Sequence, residues 1–492
     1  MPSAISETDQ TCCLAAAFSR GIVRPLVLAW VVMPLAGCLS APDKHELASV
    51  PPDFSLPEKW VAGAEAYVGD VRAGWIKSFN DPRLERLVAE AMASNRDLRA
   101  TAARLQAARE TTIVSRAERF PSLSAGLDGG RVEVAPRAQD GTLGDFQGSN
   151  DYRIYMNATW ELDLWGRLAN LDRAARADYE NQAADYQAAQ LSLAANTVKA
   201  WFALLTARQQ VALAEKTRES FERNLRIVER NYRAGDSAAS PLDVQFSRTQ
   251  LSAAERGLSV RRLGLEESKR TLEILLGRYP AALVEGKGDL PPPSPRVPAG
   301  LPSSLLMRRP DLVAAASEVL ATSERAAAAR KSLLPSISLT ASGSTLTSES
   351  LVDLINDPAS IGRSVAASLV QPLFRGGSLK AQARQAAALN EAAIHAFQEQ
   401  ALTAFREVES ALAAEQSLTD QYRSLLQEVE QAELAETQAA RDYSEGIVGY
   451  LSVLEAQRRA FDSRSALINL RNARLQDRVD LFLALGGDFR QP

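Results

Sequence analysis

Sulfur and imidazole are almost missing from this 492-residue chain, which holds three cysteines (Cys12, Cys13 and Cys38) and two histidines (His45 and His395). Nothing beyond residue 38 can therefore form a disulfide, a cysteine metal site or a thiol nucleophile. Histidine-based metal or acid–base chemistry has almost nothing to use. An excess of charge is missing too. Lys and Arg number 56 against 60 Asp and Glu, a net charge of −4, and no basic stripe interleaved with aromatics occurs, so a nucleic-acid partner is not expected. No run of 18 apolar residues exists, which excludes a transmembrane helix; if the mature protein crosses a bilayer, it does so by strands. Gly286-Lys287-Gly288 lacks the spacing of a phosphate-binding loop, and neither a G-x-S-x-G nor an H-E-x-x-H motif is present. No enzyme activity, cofactor or metal site is expected.

Glycine and proline are absent from two long stretches, Arg167 to Ala234 and Ser378 to Glu445, each of 68 residues. A continuous helix of that length reaches about 100 Å, far beyond the usual globular helix. Leu191, Ala195, Val198, Phe202 and Leu205 recur at steps of three and four, as do Phe221, Leu225, Val228 and Tyr232. The second stretch reads Ile394, Phe397, Ala401, Ala404, Val408, Ala411. Such heptad-like seams lay a helix along neighbouring helices. Much of the 46% hydrophobic content is alanine, which suits close helix packing better than a bulky globular core. Taken alone, the pattern also fits a coiled-coil scaffold.

The first 37 residues read as a secretory leader: Arg20 and Arg24 precede an apolar run of about a dozen residues, too short to span a membrane. The stretch before that run is long and carries Glu7 and Asp9, which places the true start in question. Leu35-Ala36-Gly37-Cys38 resembles the box cleaved before a lipidated cysteine in bacterial lipoproteins. Cys38 is thus the expected lipidation site, and Leu39, rather than an aspartate, implies delivery to the outer membrane. Residues 38–74 form a Pro-, Gly- and polar-rich tether.

The remainder is expected to be a tandem repeat. A first repeat (75–288) has helices, strands at about 121–131 and 150–160, and a helical hairpin over 165–277. A Pro-rich connector (289–302) precedes a second repeat (303–492). That repeat has a helix over 310–334, strands at about 335–345 and 362–371, and a hairpin over 376–486. Pro121 and Pro335, Gly235 and Gly446, and Gly277 and Gly486 correspond at offsets of 214, 211 and 209, the near-constant period of a duplication. In the strands, Tyr152, Ile154, Met156, Ala158 and Trp160 alternate with Arg153, Tyr155, Asn157 and Thr159. About ten residues with one apolar and one polar face suit a tilted transmembrane strand beside a wet lumen. Four strands cannot close on themselves, and an open edge in lipid leaves backbone groups unpaired. The chain must therefore oligomerise: two copies give eight strands, whose interior side chains fill, and three give twelve with room for a channel.

Several stretches then carry a family resemblance. "LPSSLLMRRPDLVAAASEVL", with Arg308, Arg309, Pro310 and Asp311, is similar to the signature of the TolC/OprM family of outer-membrane efflux channels, most closely its lipoprotein (NodT-like) subset. "WELDLWGR", "YRAGDSAASPLDV", "LLPSISLTASG" and the opening with Trp75, Phe79, Asp81 and Pro82 match other landmarks. The resemblance implies an α+β membrane protein. Its homotrimer would form a twelve-stranded transmembrane β-barrel, four strands per chain, in the outer membrane. A long periplasmic α-helical barrel with a small mixed equatorial region would continue it. It also implies a periplasmic membrane-fusion adaptor and an inner-membrane pump (RND or ABC type) as partners, beside outer-membrane lipid. Drugs, solvents, metals or other small molecules would be the cargo. Type I protein secretion is the alternative duty. At the periplasmic end the resemblance points to Tyr443 as part of a gate, while Val448 and Ser452 stand where relatives have an Arg and an acid. A weaker constriction of Tyr443, Tyr450 and Glu455, with Asp243 from the first hairpin, is therefore expected. The hairpin tips Gly235, Asp236, Gly446 and Val448 are expected to meet the adaptor.

Overall fold

In the computed structural model of the protein, residues 59–62, 74–137, 139, 141–235, 240–292, 305–306, 308–345, 350–356 and 361–487 are described. Cys38, the leader, most of the tether, Asp236 and most of the connector lie outside these residues. Everything below concerns the described residues.

A short 3-10 helix (Trp75–Phe79) leads into α1 (Pro82–Ser94) and α2 (Arg96–Ala117). The first strands, β1 (Ser122–Val134) and β2 (Gln147–Leu162), precede α3 (Arg167–Arg233) and α4 (Pro241–Leu275). The second half runs α5 (Pro310–Lys331), β3 (Ser336–Thr345), α6 (Leu351–Asn356), β4 (Ile361–Val370), α7 (Ser378–Ser444) and α8 (Tyr450–Ala484). The two halves match: α3 and α7 have 67 residues each, α4 and α8 have 35 each. β1 and β2 run past the expected ends of the first strand pair, to Val134 and back to Gln147. The short α6, between the strands of the second pair, packs on β2 and buries Leu354.

Local chemistry explains the element ends. Asp81 accepts from the N–H groups of Arg83 and Leu84 and so caps α1, while Ser240 and Asp243 form a reciprocal capping box at α4. Asp163 accepts from Leu168 N and Ala169 N, satisfying the free donors at the start of α3. After α4 and α8 the chain turns sharply at Gly277 (φ +70°) and Gly486 (φ +64°). A Cβ at Gly277 would meet the carbonyl oxygen of Ser94 at 2.5 Å, and one at Gly486 would meet the Arg308 backbone at 3.1 Å. Both glycines thus supply a left-handed backbone and a close approach at equivalent points of the repeat.

Helix α3 packs against α2, α4, α5 and α8, and α7 against α5 and α8. The heptad seam is what it buries. Val198, Phe202 and Leu205 are fully enclosed, as are Ala404 and Val408. Tyr232, assigned to the seam, instead stays exposed one residue before the end of α3, where the neighbouring helix is turning away. Against α5 the contact is small on small: Ala174, Ala175 and Ala177 from α3, Ala321 and Ala326 to Ala328 from α5 are buried. Side chains of that size let helix axes approach closely.

The main core lies where the amino-terminal helices meet the middle of α3 and α7 and the carboxy-terminal end of α8. Trp75 stacks on Phe482 at 5.2 Å, Phe79 meets Phe202 edge-on at 5.1 Å, and Trp201 donates to Asp81 Oδ2 at 2.8 Å. The "RRPD" stretch belongs to this core. Arg309 is buried and donates to Asp311 Oδ2 (2.7 Å), Glu407 Oε2 (2.7 Å) and the Ala484 carbonyl (3.2 Å). Burial alone would push its guanidinium down; the hydrogen bonds and charges of Asp311 and Glu407 outweigh that and hold it above its ordinary value.

Candidate channel wall and hairpin tips

The four strands form one antiparallel sheet in the order β1-β2-β3-β4, so β1 and β4 are its open edges. The register sorts the faces. Leu123 pairs with Ala158, Ala125 with Met156 and Leu127 with Ile154, while Trp160 pairs with Leu339 and Ala341 with Val365. The opposite face carries Ser124 with Asn157, Thr159 with Thr340, and Ser342 with Ser364. Leu123, Leu127, Ile154, Met156, Val365 and Leu369 are all exposed in the single chain. A row of exposed apolar side chains backed by Ser, Thr and Asn is the inverse of a soluble sheet on a core, and it is the pattern of a wall between lipid and water. On the polar face Arg153 pairs with Asp128 at 3.0 Å, and Ser342 meets Ser364 at 2.7 Å.

An ionic and amide network joins this sheet to the helices. Glu161 at the end of β2 pairs with Arg167 at 2.7 Å, and Trp165 donates to the Pro335 carbonyl at 2.6 Å, holding the first residues of β3. Below them the fully buried Asn170 bridges Lys331 (2.6 Å) and Glu324 (2.5 Å), and Glu324 also accepts from Arg173 (2.8 Å). Burial and the nearby Arg173 charge push the Lys331 ammonium down. "WELDLWGR" is thus a joint that fixes the direction in which a 67-residue helix leaves a strand.

At the far ends of the hairpins the structure brings together three of the four gate candidates. Tyr443, near the end of α7, packs on Tyr450, the first residue of α8, at 5.7 Å between ring centres. Tyr450 is 2% exposed and sits in a cluster with Phe221, Val228, Val244, Val453 and Leu454. Its hydroxyl donates to Ser247 Oγ on α4 at 3.0 Å. Burial first, then the nearby Tyr443 and Asp243, raise its pKa above the ordinary phenol value despite that hydrogen bond. Asp243 is engaged in the capping box of α4. Glu455 is not brought to the others: it pairs with Arg459 at 3.0 Å and reaches Arg458 on its own helix. Gly235 and Gly446 take left-handed turns and Val448 lies in the second turn, beyond α7.

Sequence reasoning missed the polar rungs that tie the hairpins to one another. Ser247 is one. Gln210 of α3 donates to the Ser465 carbonyl and Asn469 Oδ1 of α8, both at 2.9 Å, and Asn224 donates to Gln457 Oε1 at 2.7 Å. Gln210 falls on the α3 face that carries the apolar seam, a polar interruption that could have marked it. Ser247 carries no such signal.

Comparison with known proteins decides what such a wall belongs to. The family described as outer membrane efflux protein matches residues 87–278 and 301–487. The chain belongs to the outer membrane efflux protein family. Among its relatives, the cation efflux system protein CusC of Escherichia coli (strain CFT073) is 31% identical, over 94% of this chain and 98% of the relative. The toluene efflux pump outer membrane protein TtgI of Pseudomonas putida is 30% identical, over 93% and 97%. The solved structure of the outer-membrane channel OprN superposes with a TM-score of 0.81 at 28% identity, covering 92% of this chain and all of that one. The efflux protein is therefore an outer-membrane channel subunit whose fold is that of the trimeric TolC-like channels, a helical barrel with four strands per chain. The near-equal match on both halves follows the internal repeat.

Proposed function

We propose that three copies join β4 of one to β1 of the next, closing a twelve-stranded barrel whose polar face lines a pore. The two helical hairpins of each copy continue it through the periplasm as a duct for small molecules. The observation that carries this reading is the sheet itself: two unpaired edges, an outward apolar face and an inward polar one. Neither edge can remain open in hydrocarbon.

The hairpin tips around Gly235, Asp236, Gly446 and Val448 then meet a periplasmic adaptor, which couples the duct to an inner-membrane pump of RND or ABC type. CusC is named for cations and TtgI for toluene, so the cargo is set chiefly upstream, and small molecules as a class are assigned here. Cys38 carries the lipid that anchors the mature chain. At the tip, Tyr443 and Tyr450 keep the hairpins together when the duct is idle, with Asp243 holding the start of α4. Glu455, paired with two arginines of its own helix, modulates this end by charge.

The test is dye accumulation in cells that lack their own outer-membrane channel. Supplying this chain together with a matched adaptor and pump lowers accumulation; the chain without a pump does not. Unchanged accumulation with all three present contradicts the reading.

A further inference from the structure

One register row of the polar face carries Gly126, Tyr155, Ser344 and Gly362 across the four strands. Tyr155 is the only aromatic that the strands place on that face, and its neighbours in the row are two glycines and a serine. The ring does not stand out from the wall. Its hydroxyl end occupies the space above Gly126, where a Cβ would meet Tyr155 Cζ and Oη at 2.5 Å and Cε1 at 2.8 Å. Since β1 lies about 4.8 Å to the side of β2, the side chain runs sideways along the sheet onto its neighbour. Gly126 is the one residue of β1 that is not exposed, and Tyr155 is half-buried where Arg153 and Asn157, two residues to either side, are exposed.

Arg153 retains the ring in this position. Its guanidinium lies 5.6 Å over the ring centre and is tied across the strand pair to Asp128 at 3.0 Å, and a cation over an aromatic face attracts it. On the apolar face Tyr152 lies against Gly129 in the same way, at 3.0 Å. Both pairs steady β1, which is an open edge. On the polar face the placement also governs width. Twelve strands about 4.8 Å apart and tilted by roughly 40° close a barrel about 24 Å across between backbones. Three Tyr155 side chains share one level of it. Laid along the wall, each takes up little more than one contact distance, about 3.5 Å; standing inward, each would take up its whole length.

We propose that Tyr155, laid against the wall by Gly126 and Arg153, sets the widest cargo that the barrel passes. This rests on the channel reading above, in which the polar face lines the pore. Gly126 is the seat that admits the ring, so the width of the pore depends on the absence of a side chain there.

The test measures that width from outside the cell. No cysteine lies beyond Cys38, so Asn157→Cys supplies a thiol on the polar face, one row nearer the helices than Tyr155. Maleimides carried on inert polymers of graded size are added to intact cells, and labelling is read against the chain without that thiol. A small maleimide should label it equally in every variant. Gly126→Leu, which drives the ring into the pore, should lower the size limit, with a polymer near the original limit reacting at least tenfold more slowly. Adding Tyr155→Ala to Gly126→Leu should restore the limit, and Tyr155→Ala alone should raise it. An unchanged limit in Gly126→Leu, with trimer mass intact, overturns the proposal. So does a lowered limit that Tyr155→Ala fails to restore, which assigns the narrowing to the leucine itself. Where Gly126→Leu does not assemble, Tyr155→Ala alone decides, and no rise in its limit overturns the proposal. If even the small maleimide cannot reach Asn157→Cys in the otherwise unchanged chain, the channel reading fails; if it does while the limit ignores Gly126 and Tyr155, only this inference falls.

Discussion

The Tyr450 hydroxyl donates to Ser247 Oγ at 3.0 Å, and both side chains are buried. This bond crosses from the first residue of α8 to α4, and so from the second hairpin to the first. Tyr450→Phe leaves the Ser247 hydroxyl without its donor in a closed site, a cost of about 1–3 kcal/mol. The expected outcome is a tip that opens more readily, read as a higher resting conductance of trimers in planar bilayers. Ser247→Ala should act in the same direction. Glu455→Gln should change conductance less than either, because its carboxylate is held by Arg459 and Arg458.

The glycines that end the hairpins make a second prediction. Gly277→Ala must place a Cβ 2.5 Å from a backbone oxygen of Ser94 at φ +70°. Strain and the displaced contact together should cost roughly 2–4 kcal/mol, combining the usual left-handed penalty with overpacking. The melting temperature of the purified assembly reads this directly. Gly235→Ala, at φ +74° with open space around it, should cost only the backbone part, about 1–2 kcal/mol.

Arg309 makes a third. Removing its charge as Arg309→Leu leaves the half-buried Asp311 without its partner while the exposed Glu407 turns to water, a cost discounted for screening to about 1–3 kcal/mol. Arg309→Lys restores charge without the fork that reaches Asp311, Glu407 and the Ala484 carbonyl together, and should recover only part. Trimer yield and thermal dissociation separate the three proteins.

Asp477 supplies a pH dependence. Burial, with the nearby Glu415 and Asp480 carboxylates, raises its pKa to about 7. An acid whose folded pKa is raised binds more protons in the native state between about pH 4 and 7. Stability therefore falls as pH rises through that window, and the loss is complete above it. Asp477→Asn should remove this slope, melting higher than wild type at pH 8 and no differently near pH 4. The site is partly solvated, so the gain is discounted for screening to about 1–2 kcal/mol. An unchanged difference across the pH range would contradict the assignment.

Much of this architecture was legible in the sequence because its signals are long. Sixty-odd residues without Gly or Pro cannot be read as anything but helix, and the period of two from Tyr152 to Trp160 repeats often enough to sort the sheet faces. What escaped is decided by single contacts. Whether Tyr450 faces a lumen or a neighbour depends on the rotation of α8, which places it against Val244 and Ser247; a spacing of residues does not carry that angle. Likewise Glu455 lies five residues on, on another side of the same helix, where Arg459 is the nearer partner. The six-residue α6 is too short to show a period at all.

The most direct measurement of the central claim is the conductance of the purified protein in planar lipid bilayers, with its mass determined in the same detergent. The account predicts a trimer that opens discrete channels. A monomer that inserts without conducting would contradict it.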